Sequence, residues 1–368
     1  MACHPLAGAE GQTPVYGVDA SVWPDATPRS VPSAATTTIR PATPRVSPSS
    51  QDGPASSSHS SVSPARVGPL PWTCGDVRRL RPAQDANEVA TEQIRALLSR
   101  REEGGALPLF VFDAGYDPVK VQRAVEGSQC QILVRLRAGR RFYGDPGLCD
   151  PPANMGRPRR HGPKMKCYDP STWPEPSAEH TCDDAGYGSV RVRAWAGLHP
   201  KVQNHEGRGS RGPLPNVVGT LVLVEVERLP RGERRREPRV LWLWWHGREG
   251  RTPDLDLIWR SYVRRFDLEH TFRFLKQSMG WTTPRVRYPE QADRWTWLVV
   301  AAFVQLRCAR TCVADLRLPW ERRYEAGHLT PMRVHRVVSS LLAHLGTPAK
   351  PPKPCGRSPG RPKGGRSS

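Results

Sequence analysis

The chain has 368 residues, with 55 Lys+Arg against 35 Asp+Glu and a formal net charge of +20. That length allows two or three domains and ample core, while 39 Pro and 32 Gly commit a good share of it to loops. The longest apolar stretch, 297–306, is half of the roughly 20 residues a bilayer requires, and residues 1–8 have neither the basic nor the apolar region of a signal peptide; a membrane protein is excluded and a cytoplasmic one expected.

Residues 14–23 read as a short strand with Asp19 inside it. Residues 27–72 differ in texture: 30 of these 46 residues are Ser, Pro, Thr or Ala, and the composition predicts a disordered segment without strands. Ordinary globular texture returns at Asp76. Residues 87–100 form an amphipathic pattern with Val89, Ile94, Leu97 and Leu98 on one side. Residues 107–116 then read as a buried strand ending in a turn, with Asp113 at its C-terminal end. A helix over 118–127 and a strand over 131–137 follow. Strands are expected at 189–195, 219–229 and 239–245, so that 131–250 forms a β-rich block. A long helix is predicted over 252–279, with Pro253 and Asp254 in its first turn, and another over 289–312. Residues 313–346 are expected to be helical, and 347–368 to be a basic, disordered tail.

A charge this positive makes nucleic acid the expected partner. Since 47 of the 55 cations are Arg, a GC-rich coding sequence accounts for part of the excess. The nine Cys show no Cys-x2-Cys spacing, so no zinc module is spelled out. Cys308 and Cys312 read as small buried hydrophobes.

The strongest chemical signal lies in the long predicted helix. At about 100° per residue, Tyr262, Arg265, Glu269 and Lys276 project within roughly a 60° arc. A carboxylate among two cations and a phenol suits a metal-bound phosphate: Glu269 to coordinate a divalent cation, Arg265 and Lys276 to hold phosphate oxygens. Asp113 ends an apolar strand, where open α/β sheets place their sites, and Asp19 is its candidate neighbour. Two strand Asp and one helix Glu supply the hard oxygen donors that a pair of Mg²⁺ ions requires.

The spacing Tyr262-x2-Arg265-x3-Glu269-x6-Lys276 resembles the YREK signature of insertion-sequence DDE transposases. Phe112-Asp113-Ala-Gly-Tyr116 resembles the second-Asp motif of that class, and Tyr16-Gly-Val-Asp19-Ala-Ser21 the first. From Asp76 onward the chain is similar to the insertion-sequence-701-like group of actinobacterial type, through Gly156-Arg-Pro-Arg-Arg-His161, Leu241-Trp-Leu-Trp-Trp245, Thr252-Pro-Asp-Leu-Asp-Leu257, Glu269-His-Thr-Phe-Arg-Phe274 and Pro289-Glu-Gln-Ala-Asp-Arg-Trp-Thr-Trp297. The resemblance implies a bacterial, nucleoid-associated transposase cleaving and rejoining DNA at transposon ends. It implies an RNase-H-like α/β fold with a β-rich insertion between the second Asp and the Glu. It further implies that Asp19, Asp113 and Glu269 are catalytic metal ligands for two Mg²⁺, with Mn²⁺ as a substitute. Arg265 and Lys276 would contact end phosphates, Tyr262 would set that geometry, and the chain would act as a homodimer on transposon ends and target DNA.

Two departures from the family pattern shape the expectation. Asp19 lies almost at the start, where the family carries about one hundred residues more, so the chain reads as N-terminally truncated. Residues 27–74 read as out of frame: one-base shifts of permitted codons turn Thr36-Thr-Thr-Ile-Arg-Pro41 into Tyr-Tyr-Tyr-His-Pro-Ser. The same shift turns 46–54 into Gly-Gln-Pro-Ile-Val-Ala-Gly-Trp-Ser, both family segments. The expected organisation is a remnant strand in 1–26, the foreign segment at 27–75, the catalytic domain at 76–312, and the C-terminal parts above. Without strands from 27–72, Asp19 would be unpositioned, and the copy would be inactive. The alternative is a non-catalytic basic DNA-binding protein, using Arg361 in the AT-hook-like Ser358-Pro-Gly-Arg-Pro-Lys-Gly364. Arg231–Arg236 and the Asp183-Asp184 pair read as solvated loops, Trp242, Trp244 and Trp245 as sheet core, and Trp281 as a candidate platform for a flipped base.

Overall fold

The structure, a computed structural model, describes residues 13–22, 35–41, 77–80, 84–101, 105–148, 159–202, 215–229, 240–248, 250–324 and 329–345. By its internal contacts the chain divides into two units, Met1–Trp297 and Leu298–Ser368.

The first unit is built on one mixed sheet with helices on both faces. Its leading half comprises β1 (Val15–Val22), β2 (Ala35–Pro41), β3 (Val77–Arg79), β4 (Leu109–Phe112) and β5 (Gln131–Leu136). Next come β6 (Arg141–Tyr143), β7 (Lys164–Lys166), β8 (Ala178–Asp184), β9 (Gly188–Pro200), β10 (Gly219–Val226) and β11 (Leu241–His246). The order is β3-β2-β1-β4-β5-β11-β10-β9-β6-β7, with β8 paired to β9. β4 runs parallel to β1 and to β5; the other pairings are antiparallel.

Alternation along the strands sorts the side chains into two apolar layers. Tyr16, Val18, Phe110, Phe112, Ile132, Val134, Trp242 and Trp244 share one face. It is covered by α1 (Ala86–Leu98) through Ala90 and Ile94, and α2 (Pro118–Ala124) through Val121. Asp85 and Asp117 cap these two helices by accepting backbone N–H bonds in their first turns. Val15, Leu109, Val111, Leu133, Leu243 and Trp245 line the opposite face, against Leu255, Ile258, Trp259 and Tyr262 of α3 (Leu255–Arg264). The tryptophans expected in the core are there: Trp242, Trp244 and Trp245 are 1%, 0% and 4% exposed. Gly219 lets the Trp244 indole pass, since a Cβ there would overlap its ring.

Three expectations require correction. Residues 35–41 do form a strand: β2 pairs with the full length of β1 on one side and with β3 on the other. The run Thr36-Thr-Thr-Ile39 is β-branched throughout, and that preference prevails over the Ser/Pro texture around it. The remainder of 27–75 lies outside the described residues.

The long helix predicted over 252–279 is two helices, α3 and α4 (Phe266–Gln277). Arg265 keeps helical dihedrals, but the bonds around it, Arg265 N to Tyr262 O and Leu268 N to Arg265 O, span three residues and interrupt the α ladder. Finally, Cys308 and Cys312 are exposed; the buried thiols among the described residues are Cys130 and Cys167.

α5 (Pro289–Cys308) follows, its first turns tied back to β3 where Arg79 donates to Asp293 at 3.1 Å. In the second unit, α6 (Pro331–Leu345) anchors the preceding loop: Arg333 donates to Asp315 at 2.8 Å, and Arg336 to Glu321 at 2.9 Å. Among the described residues no helix is long and apolar enough to cross a membrane.

Candidate active site

β1 and β4 set the position of two carboxylates. Their parallel register pairs Val18 with Phe112, so Asp19 and Asp113 come next on neighbouring strands. Both have the odd parity of Val15, Leu109 and Val111 and therefore point to the face that carries α3. Asp113 stands just past the end of β4, where its Oδ1 accepts the Gly115 N–H at 2.9 Å and fixes the turn.

α4 brings the third carboxylate. An open cleft of about 410 Å³ is lined by Asp19, Ala20, Ser21, Asp113, Arg265, Glu269, Phe272, Arg273, Lys276 and Gln277. Asp19, Asp113 and Glu269 thus share one cleft, together with Arg265 and Lys276. Tyr262 is not part of its lining. It is 2% exposed in the α3 core, and its ring centroid lies 6.0 Å from the Arg265 guanidinium carbon. Arg361 lies outside the described residues, as does 230–239, which holds the basic run.

The guanidinium of Arg265 spans two of the carboxylates. It donates to Asp19 Oδ2 at 2.9 Å and to Glu269 Oε1 at 2.7 Å. Arg265 and Asp19 are 5% and 13% exposed, whereas Glu269 reaches solvent at 47%. Burial pushes the Asp19 carboxyl above its ordinary range; Arg265 pulls it down, and the charges of Asp113 and Glu269 add to the rise. Burial also opposes the charge of Arg265, but Asp19, Tyr262, Glu269 and Asp113 outweigh it and hold that pKa above its usual value. Burial lowers the Lys276 pKa, and its ammonium lies 5.9 Å from the Trp281 ring.

These residues fit a divalent cation. They supply hard oxygen donors from the ends of two neighbouring strands and from a helix, all lining one cleft. A positive group already lies between two of them. Asp19, Asp113 and Glu269 would hold the ion.

Reading the sequence alone overlooks Phe272, Arg273 and Gln277 in the lining. They stand three, four and eight residues after Glu269 on one helix, so helical spacing from the candidate carboxylate is the signal that would have found them. Trp281 is not a base-stacking platform: it is 2% exposed, and its indole N–H donates to Thr296 Oγ1 at 2.9 Å. Asp183 and Asp184 end β8, and Asp184 Oδ2 pairs with Arg260 at 3.3 Å; they are not a free loop.

Residues 2–201, more than half of the chain, match the family described as DDE superfamily endonuclease. The chain belongs to this family. Its members generally use divalent metal ions and act on DNA. The matched span contains Asp19 and Asp113, while Glu269 lies beyond it. No curated protein matches the chain.

Proposed function

We propose that the chain is the transposase of a bacterial insertion sequence, cleaving and transferring DNA strands at transposon ends with two Mg²⁺ held by Asp19, Asp113 and Glu269. The observation that carries the reading is the gathering of these three carboxylates, distant in sequence, around one cleft with Arg265 and Lys276. The order β3-β2-β1-β4-β5, with β4 and β5 parallel to β1 and β2 antiparallel to it, supports an RNase-H-like core. Strands β6 to β11, falling between Asp113 and Glu269, support the β-rich insertion. Held by Asp19, Asp113 and Glu269, such ions would supply activation of the attacking water or 3′-hydroxyl and stabilisation of the leaving oxygen.

The chain's own side chains divide the remaining work. The carboxylates fix the ions on the sheet. Arg265 holds Asp19 and Glu269 in place and turns to a phosphate when DNA enters. Lys276 and Arg273 receive the strand along α4, and Tyr262 supports Arg265 from the core. The partners are transposon ends and target DNA, bound by a homodimer in the nucleoid.

The expectation of inactivity rests on a composition of 27–72 that predicts no strand beside Asp19. With β2 along β1, that ground is removed at 35–41. The out-of-frame reading of the rest of 27–74 is a proposal about the gene, and its nucleotide sequence tests it. The functional test is cleavage of end-bearing duplex DNA by the purified chain with Mg²⁺ or Mn²⁺. Metal-dependent nicking that Glu269→Gln abolishes, with DNA binding retained, supports the reading. DNA binding with no metal-dependent nicking leaves the basic DNA-binding alternative.

A further inference from the structure

A second cluster of chemistry-bearing side chains lies away from the acidic cleft, between β8 and α3. β8 is an edge strand whose inner and outer residues alternate, so His180, Cys182 and Asp184 share its partly buried face. The hairpin into β9 turns through Gly188, which takes the left-handed φ of 71° that suits glycine. Asp256, in the first turn of α3, faces the same strand. His180, Cys182 and Asp256 each bring a ligand atom within 4.8 Å of the others. His180 Nε2 is 3.4 Å from Asp256 Oδ1; this nitrogen is buried and has no hydrogen-bond partner.

We propose that His180, Cys182 and Asp256 form a three-ligand site for a zinc-type metal ion, separate from the acidic cleft. The donor set decides the metal. One imidazole, one thiolate and one carboxylate are the ligands of Zn²⁺, whereas Mg²⁺ takes oxygen alone. Tetrahedral bonds of about 2.0–2.3 Å leave a fourth position for water. Charge balances as well: a thiolate and a carboxylate meet the two charges of the ion, while Asp184 meets Arg260.

The surroundings provide the outer support that metal ligands require. Trp259 Nε1 donates to Asp256 Oδ1 at 3.0 Å, and Arg260 Nε donates to Oδ1 at 2.8 Å and Oδ2 at 2.9 Å. Loading transfers Oδ1 to the ion and leaves Oδ2 on Arg260. The Cys182 thiol, its pKa raised by burial, gives up its proton to the solvent as the ion binds. Such a bond would staple α3 to the sheet six residues before Tyr262 and nine before Arg265, fixing the helix that leads into the acidic cleft. The sequence hides this site because its ligands come from a strand and a helix more than seventy residues apart, with no Cys-x2-Cys spacing.

The test uses the full chain with Cys308→Ser and Cys312→Ser as background, which removes the exposed thiols among the described residues. Expected are one equivalent of zinc after dialysis and, with Co²⁺, tetrahedral visible bands with a thiolate-to-cobalt charge-transfer band. Both should disappear in Cys182→Ser and in His180→Ala. In the unsubstituted chain, Zn²⁺ should slow maleimide labelling of Cys182 at least tenfold, read by peptide mass spectrometry; this readout requires no variant to fold. Unchanged labelling, a cobalt spectrum of oxygen ligands only, or zinc content unaffected by Cys182→Ser in a folded protein would each overturn the site.

Discussion

Arg265 donates to Asp19 at 2.9 Å although 246 residues separate them in sequence. The pair joins the first strand of the sheet to the start of α4, and a second bond from the same guanidinium reaches Glu269. A cation therefore already occupies the space between two of the carboxylates proposed to hold metal. Arg265→Ala leaves those carboxylates facing one another, and breaking a buried pair of this kind costs about 3–5 kcal/mol. The expected result is a lower melting temperature in metal-free buffer, followed by a larger rise on adding Mg²⁺ or Mn²⁺ than the unsubstituted chain shows. Equal metal-induced shifts in the two proteins would mean that Arg265 and the ion do not share this space.

The strand beside Asp19 makes a second prediction. Thr37 pairs with Ala20 in β2, between β1 and β3. Proline there removes a ladder donor in a strand paired on both sides, a position from which sheets exclude it. Thr37→Pro should accelerate amide exchange across residues 15–22 and weaken metal binding at Asp19. If exchange is unchanged, residues 35–41 do not pair with β1 in solution, and the expectation of an unsupported Asp19 returns.

The two histidines at the β6–β9 junction predict a pH response. His161 Nδ1 and His199 Nε2 lie 2.9 Å apart with their rings stacked. Burial lowers both pKa values; Arg160 lowers His161 further, and His161 does the same to His199. A histidine depressed on folding contributes stability that is present above its unfolded pKa, near 6.5, and is lost as pH falls through the folded value. The melting temperature should therefore decline from pH 7 toward pH 5, and His161→Gln should flatten that decline. A slope unaffected by the substitution would assign the acid sensitivity to other groups.

Much of the fold was legible because its strands and helices follow simple periodicities. The runs containing Asp19 and Asp113, the amphipathic α1 and the apolar β10 and β11 were all readable from side-chain pattern. β2 was not, since its three threonines sit within a stretch whose composition speaks for disorder. The break at Arg265 was also hidden: nothing in Val263-Arg-Arg-Phe266 is a helix breaker, and the interruption coincides with the bonds to Asp19 and Glu269. The cleft was legible as a set of carboxylates and cations, while the removal of Tyr262 into the core depends on its packing beneath α3. The β8–α3 cluster depends on strand pairing, to which single-sequence spacing gives no access.

The last prediction concerns Lys276, which lines the cleft one turn beyond Phe272. If it receives a phosphate, its contribution is electrostatic and independent of base sequence. Each neutralised phosphate on duplex DNA contributes about −0.9 to the slope of log K against log salt. Lys276→Ala should therefore weaken binding of end-bearing and unrelated duplexes alike and make the slope shallower by roughly one unit. Lys276→Arg, which keeps the charge, should restore most of the slope. A loss confined to end-bearing DNA, with the salt slope intact, would instead assign Lys276 to sequence readout, since a base-edge contact discriminates between duplexes without changing the number of ions released.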